Sequence, residues 1–295
     1  MVMDRGIDRL GRQAWLKPID EVLQRAVSGV FRSAGPAGAR AKDVLNGVWL
    51  GHPLHPALSD VPLGAWTAAA VMDVLAASSG REELGAGADA AIGIGLAAAV
   101  PTAVTGLADW QYLVGRPHRT GLVHGLLNVG AVALYGASLA LRRAGARGAG
   151  QLLASLGYGT VLFSAYLGGD LVYRDLANVN HANTAAMPRQ FTPVLAASEL
   201  VEGRLTRVDA RGTPVVLLRR GERVYALAAT CSHLGGPLHE GELHPDNTVT
   251  CPWHGSTFAF DDGHIVTGPA TIEQPVFETR IKDGQIEVRL ARPPA

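Results

Sequence analysis

Four apolar stretches, at about 58–77, 86–108, 122–141 and 152–172, limit what this chain can become more than any other feature. Each holds the ~20 residues that an α-helix needs to cross ~30 Å of hydrocarbon. Short charged connectors separate them: Arg81-Glu82-Glu83, residues 116–119 and residues 142–147. A soluble bundle of Ala-rich helices would need a continuous polar face on each helix, and these stretches have none. The expectation is an all-α four-helix transmembrane bundle. Gly93, Gly95, Ala97, Ala98, Gly130, Gly136, Gly157 and Gly159 would let helix backbones approach closely. Pro101 is expected to bend the second span.

The flanks differ in character. Hydrophobic residues make up 47% of the chain and charged residues 18%, a membrane-like average produced by this middle part alone. The first 45 residues carry eight Lys/Arg against five Asp/Glu, and from Ile19 onward Val22, Leu23, Val27, Val30 and Phe31 recur at helical spacing. With Arg12, Trp15, Leu16, Lys17, Arg25 and Arg32 beside them, this segment suits a helix on an anionic membrane face or one packed on its own protein. Gly35-Pro36-Ala37-Gly38 should break it. No secretory signal is expected, because the start is charged and the first apolar run comes late. The 26 basic and 26 acidic residues balance, so no bulk charge attracts nucleic acid.

An even number of spans puts both termini on one side of a multi-pass protein of the cell membrane. Arg40, Lys42, Arg116, Arg119, Arg174 and Arg189 fall on that side, and Arg81, Arg142, Arg143 and Arg147 on the other. The positive-inside bias favours cytoplasmic termini by a narrow margin. Polar residues gather at the same face: Gly51-His52-Pro53-Leu54-His55-Pro56, Asp60, Asp109, Trp110, His118, His124, Asp170, Tyr173 and His181. A histidine set of His52, His55, His124 and His181 could hold haem b or another metal, or line a quinone pocket with proton acceptors. The alternative is that His52 and His55 merely cap a helix start. His124 is the sharpest candidate, since an ionisable group inside a span is a functional site by default. Asp73 and Asp89 lie towards the opposite face, where Arg81, Arg142 or Arg143 would pair with them. The stretch GHPLHPALSDVPLGAW resembles a family of small four-helix membrane proteins with an H-P-x-H-P signature (DUF2231-like), over about residues 42–185.

The second constraint lies near the C-terminus, in CSHLGGPLHEGELHPDNTVTCPWHGSTF. Cys231-x-His233 and Cys251-x-x-His254 stand seventeen residues apart, and these are the only two cysteines of the chain. Two thiolates and two imidazoles suit a pair of irons of unlike character, one preferring soft sulfur and the other neutral nitrogen. A tetrahedral zinc site is the nearest competitor. Zinc fingers group Cys with Cys and His with His, however, whereas here each loop contributes one of each. The pattern resembles the Rieske [2Fe-2S] domain. The resemblance implies that Cys231 and Cys251 hold one iron and His233 and His254 the other. Ser256 would donate to the cluster, and Pro269, in Gly268-Pro269-Ala270, would lie in the loop that covers it.

Departures from the family pattern carry information. The quinol-oxidising branch has an additional disulfide between its ligand loops, at positions that read Gly236 and Trp253 here. A tyrosine that tunes that branch reads Phe258. Both departures point to the ferredoxin and oxygenase type. The potential is expected in the low to middle part of the Rieske range of roughly −150 to +300 mV. A full oxygenase is not expected, since it needs a further large domain with a two-histidine, one-carboxylate iron site. His239 and His244 read as surface residues.

Around this motif the chain turns to short alternating runs. Arg220-Gly221, Asp262-Gly263 and Asp283-Gly284 read as hairpin turns of a small all-β domain. The expected domains are an amphipathic basic segment at 1–45, the four-helix domain at 46–174, a linker at 175–191 and the iron–sulfur domain at 192–295. The functional expectation is a membrane-bound one-electron Rieske carrier coupled to a quinone or haem site in the membrane half, an oxidoreductase component that transfers electrons. The alternative is a tethered ferredoxin that passes electrons from a reductase to a separate oxygenase, with the membrane half a passive anchor. The expected partner is accordingly a redox protein or a quinone.

Overall fold

The computed structural model describes residues 16–182 and 184–291. Arg12 and Trp15, offered above as membrane-facing, lie outside the described residues. The chain divides into two compact units. One takes the chain up to Ala41 together with Leu54–Ala177, and the other takes Lys42–Pro53 together with everything from Asn178 onward.

The first unit is helical. An amphipathic helix α1 (Leu16–Ser33) is followed by α2 (Gly35–Asn46), whose last residues belong to the second unit. Gly35 stands at φ 55° and marks the break between them. Four long helices follow: α3 (Leu54–Ser79), α4 (Glu82–Trp110), α5 (Arg116–Arg143) and α6 (Arg147–Tyr173). All four are long and apolar enough to cross a membrane. Gly80 and Gly145, at positive φ, follow the ends of α3 and α5, and Gly115, also at positive φ, precedes α5. Pro62 and Pro101 stand inside helices that continue past them. The bundle wears its apolar side chains outward: Val74, Val100, Val129 and Leu152 are each more than 60% exposed. That is the pattern of a surface solvated by hydrocarbon rather than water.

Packing inside the bundle is built on aromatic rings against glycine. Trp66 of α3 stacks on Tyr135 of α5 with ring centroids 4.3 Å apart. Gly95 of α4 lies under the Trp66 indole, and Gly157 of α6 lies under the Tyr135 ring. Of the small residues expected to bring helices together, these two do so. Gly93, Gly130, Gly136 and Gly159 face open space instead.

At the α4–α5 end, α1 packs on the bundle. Asp20 is buried and pairs with His118 Nδ1 at 2.6 Å, and the His118 ring stacks on Trp110. Gln24 donates to the carbonyls of Gln111 and Leu113, and Val27 joins Trp110, Leu113 and Leu122 in a small apolar cluster. The other side of α1 leaves Ile19, Val22, Leu23 and Val30 exposed. One face of α1 is thus packed on its own protein, and the other carries exposed apolar side chains. At the opposite end of the bundle Arg142 is the hub. Its fully buried guanidinium bonds Asp73 of α3 and Asp89 of α4, and Arg147 of α6 shares Asp89. Arg142 is one of the partners expected for Asp73 and Asp89; Arg81 pairs with Glu83 instead.

The second unit is antiparallel β structure in three small sheets. Their strand orders are β1-β10-β9, β2-β3-β4 and β5-β6-β7-β8. The strands are β1 (Thr192–Ala196), β2 (Thr206–Ala210), β3 (Thr213–Arg220), β4 (Arg223–Ala228), β5 (Glu242–Leu243), β6 (Thr248–Thr250), β7 (Thr257–Ala259), β8 (Ile265–Thr267), β9 (Phe277–Lys282) and β10 (Gln285–Leu290). The three turns expected from the sequence join β3 to β4, β7 to β8 and β9 to β10. At the last of them Asp283 and Gly284 both have positive φ, as a two-residue hairpin turn requires. Strand β3 alternates its side chains between two cores. Val215 and Leu217 face one, with Ile286 and Val288. Val216 and Leu218 face the other, which also holds Cys231, Cys251, Phe258 and Phe260. Met187, within the stretch expected as a linker, is buried in the first of these cores.

Candidate metal centre

The second core of the β unit ends in two loops built to the same plan. In the first, Cys231 N–H donates to the carbonyl of Gly236 (2.8 Å) and Gly235 N–H to that of Cys231 (3.0 Å). In the second, Cys251 N–H donates to Ser256 (2.8 Å) and Gly255 N–H to Cys251 (3.1 Å). Each loop closes through a glycine four residues after its cysteine, Gly235 at φ 79° and Gly255 at φ 82°. A side chain with a Cβ is strained there, so both loops need glycine. Leaving β4 and β6 respectively, the loops present Cys231, His233, Cys251 and His254 to one another.

The two thiols are almost fully buried and lie close enough to shift one another's ionisation. The neighbouring Cys251 and burial push the Cys231 thiol up, while the neighbouring Cys231 draws Cys251 down to about 6. Burial, then the neighbouring His254 and His181, pushes His233 down to about 3, and burial lowers His254 as well. Both imidazoles are therefore neutral near pH 7, the form that ligates metal. Their ring centroids lie 5.1 Å apart with planes at 90°. Two imidazoles on one tetrahedral ion, with metal–nitrogen bonds of about 2.0–2.1 Å and ring centres about 1.1 Å further out, would sit ~5 Å apart. Among the described residues no three His, Cys, Asp or Glu side chains are placed to share a single ion. The two imidazoles are thus spaced as a pair on one metal atom, and the two buried thiols beside them form a second like pair.

The loops are braced from outside. Gln274, 2% exposed, accepts from Ser232 N–H through Oε1 (3.0 Å) and donates to the carbonyls of Ala228 (2.8 Å) and Thr230 (2.7 Å). Ser232 Oγ donates to the Ile272 carbonyl (2.6 Å). Ser256 Oγ accepts from Ala270 N–H (2.9 Å), which leaves the hydroxyl proton for another acceptor. Pro269 is buried in the segment between, after a cis peptide bond. Gly268 N–H donates to Asp43 (2.9 Å), from the 42–53 segment that belongs to this unit. Gln274 and Asp43 were not evident from sequence. Nothing local marks a polar residue that works 42 or 225 positions away.

Gly236 and Trp253, the positions of the disulfide in the other branch, do face each other. A Cβ at Gly236 would fall 3.2 Å from the Trp253 ring and 2.6 Å from Cys251 Sγ. Both cysteines are free, and the exposed Trp253 indole covers the place of a second cross-link. His244 bonds Thr250 Oγ1 at 2.8 Å and is partly buried, as is His239.

The four histidines grouped with the membrane half do not form one cluster within either unit. His52 lies exposed in the 42–53 segment, with Nδ1 2.9 Å from the Pro53 carbonyl. His181 belongs to the β unit, where its N–H donates to the Ser232 carbonyl and its ring lies near Gly235. Only His55 and His124 meet, inside the bundle, with ring centroids 6.3 Å apart.

Comparison with known proteins agrees with this division. The Rieske [2Fe-2S] domain family matches residues 190–278, and the predicted membrane protein family DUF2231 matches residues 51–181. Ferredoxin CarAc of Metapseudomonas resinovorans is 36% identical over 96 residues, 32% of this chain and 89% of that protein. The 3-phenylpropionate/cinnamic acid dioxygenase ferredoxin subunit of Escherichia coli (strain K12) is 32% identical over 94 residues, 32% of this chain and 87% of that protein. Among solved structures, the ferredoxin of carbazole 1,9a-dioxygenase from Nocardioides aromaticivorans matches with 26% identity and a TM-score of 0.32, covering 34% of this chain and 97% of that one. The chain belongs to the Rieske [2Fe-2S] family, and carries its iron–sulfur domain behind a DUF2231 membrane domain.

Proposed function

We propose that this protein is a membrane-held, ferredoxin-type electron carrier in which Cys231 and Cys251 hold one iron of a [2Fe-2S] cluster and His233 and His254 the other. When bound, the cluster supplies reversible one-electron transfer. The protein's part is to keep two thiolates and two neutral imidazoles in register through the paired loops and to hold them dry. The observation that carries this reading is the shared hydrogen-bond plan of the two loops, which sets the thiols close together and the imidazoles 5.1 Å apart. Two relatives bear the names of ferredoxins, one of them a dioxygenase subunit. By that likeness the partners of this chain are a reductase that donates and an oxygenase that accepts. Electrons would pass at the rim formed by His254 and the exposed Trp253.

The test is a reductase-coupled reduction assay on the detergent-purified full chain, with electron paramagnetic resonance and an iron count. Wild type should bind about two irons per chain. Cys251→Ser and His254→Ala should lose that iron together with the signal. Iron bound at full occupancy in both variants would refute the assignment.

We further propose that α3 to α6 span the cell membrane with both ends of the chain in the cytoplasm. A cysteine placed at Ser79 should then react with an impermeant thiol reagent from outside whole cells, and one placed at Tyr173 should not. A second reading gives the membrane half a redox role of its own, through quinone or haem. It is favoured by the meeting of His55 and His124 within the bundle.

A further inference from the structure

The segment Gly268-Pro269-Ala270 is held from two sides. On the inner side Ala270 N–H donates to Ser256 Oγ at 2.9 Å, and Ala270 is buried in the core that also holds Cys231 and Cys251. On the outer side Gly268 N–H donates to Asp43 Oδ1 at 2.9 Å. Asp43 lies in the last turn of α2, 225 positions away, in the 42–53 segment that belongs to the β unit. The loop is thus fixed one residue to each side of Pro269, by a hydroxyl from inside the domain and by a carboxyl from far up the chain.

The 42–53 segment is shaped to make this contact. After α2 ends at Asn46, a 3₁₀ turn at Val48–Leu50 runs between Gly47 and Gly51, both at positive φ. Leu50 N–H donates to the Gly47 carbonyl and Gly51 N–H to that of Val48, while the Trp49 indole N–H reaches back to the Val44 carbonyl at 3.1 Å. The turn brings Val48 to the same glycine that Asp43 holds. A Cβ at Gly268 would stand 2.6 Å from Val48 Cγ2 and 3.1 Å from Asp43 Oδ1, so the two side chains close over a residue that has no side chain. A carboxylate in the last turn of a helix opposes the helix dipole, so α2 gains nothing from Asp43 itself. Burial raises the Asp43 carboxyl above the usual carboxylate range, and the Gly268 N–H is the first group that offsets this. Asp43 and Val48 lie outside the stretches matched to either family, so neither likeness accounts for the contact.

We propose that Asp43 is a positioning residue for the metal centre: with Val48 it holds Gly268-Pro269-Ala270 down over Cys231 and Cys251, so that the segment leading into α3 sets how readily the site opens. Its consequence for iron retention rests on the cluster reading given above. Its consequence for the metal-free chain rests on the hydrogen bond alone. Lifting the loop breaks the Gly268–Asp43 bond, and a chain without that bond populates the open form more.

Cys231 and Cys251 are the only cysteines of the chain, so a thiol reagent reads this site and nothing else. The full chain is purified in detergent, stripped of iron anaerobically with a chelator, and its reaction with a fluorescent maleimide is timed for wild type, Asp43→Ala and Asp43→Asn. Asparagine keeps an oxygen that accepts from the Gly268 N–H, and alanine does not. Both thiols should react about tenfold faster or more in Asp43→Ala, and within about threefold of wild type in Asp43→Asn. Loss of iron from the loaded chain to the same chelator should follow the same order. A wild-type rate in Asp43→Ala, or a rate in Asp43→Asn equal to that of Asp43→Ala, overturns the proposal. Should Asp43→Ala fail to fold, Gly268→Ala carries the test, because its added methyl group meets Val48. That variant should also react about tenfold faster, and adding Val48→Ala should bring the rate back to within about threefold of wild type. A double variant as fast as the single one overturns the proposal. Thiol rates in the expected order on a chain that binds no iron would count against the cluster assignment and leave the role of Asp43 standing.

Discussion

Ser256 takes the Ala270 N–H on its hydroxyl oxygen, and on the proposed function its own proton goes to cluster sulfur. Ser256→Ala should therefore cost about 1–3 kcal/mol, from an N–H left unpaired in a buried place. It should also lower the midpoint potential by on the order of 40 mV, the equivalent of about 1 kcal/mol for one electron. Voltammetry and thermal melting of the same variant read the two effects. Phe258 gives the converse test. It is fully buried in the same core as both cysteines and pairs with Val249 across β6 and β7. Phe258→Tyr should raise the potential by a similar ~40 mV if the added hydroxyl reaches sulfur. A loss of stability with no change in potential would show that it does not. At this scale the two Cys–His pairs that the loops bring together were legible in the sequence, because residue identity and spacing are what the proposed chemistry needs. The paired glycines were legible in principle, since Gly235 and Gly255 follow their cysteines at the same interval. Gln274 and Asp43 were not, because their meaning arises only when distant parts of the chain meet.

Among the elements, the helical bundle is tied by polar groups towards both ends. Arg142 illustrates the risk in such a tie. Its guanidinium is the cation for Asp73 and shares Asp89 with Arg147, so removing it strands carboxylates that have little water. Arg142→Ala should destabilise the bundle by about 3–5 kcal/mol in detergent denaturation, the usual range for a buried pair broken on one side. Adding Asp73→Asn to that variant should recover part of the loss. If the double variant is as unstable as the sum of the single ones, the pairing is not what matters. The sequence made the existence of four long helices plain, since apolar length leaves few alternatives. It did not say which glycines would face a neighbour. That depends on where Trp66 and Tyr135 project, and helix rotation is set by packing partners rather than by composition. The placement of α1 was open for a similar reason: its apolar residues cover more than one face, and Asp20 and Gln24 decide which face docks.

For the molecule as a whole, the outward apolar surface of α3 to α6 sets how it partitions. It should stay with the membrane fraction through high-salt and alkaline washes and leave only with detergent. Release by salt or alkali would mean that the helices lie on the membrane instead of crossing it. A helical half and a β half were both legible from the change in hydrophobic period near residue 190. What could not be read was that the β unit is discontinuous. Its compact body includes Lys42–Pro53, and Asp43 receives its hydrogen bond from Gly268 across 225 positions. At a synthesis rate of about 5–20 residues per second, Gly268 emerges roughly 11–45 s after Asp43. All four long helices are made in that interval, since they lie between residues 54 and 173. The 42–53 segment must therefore wait while the helical part of the chain is translated. On the proposed function, the β unit can close over its cluster only after the last strands have been made, which places cluster loading at the end of biogenesis.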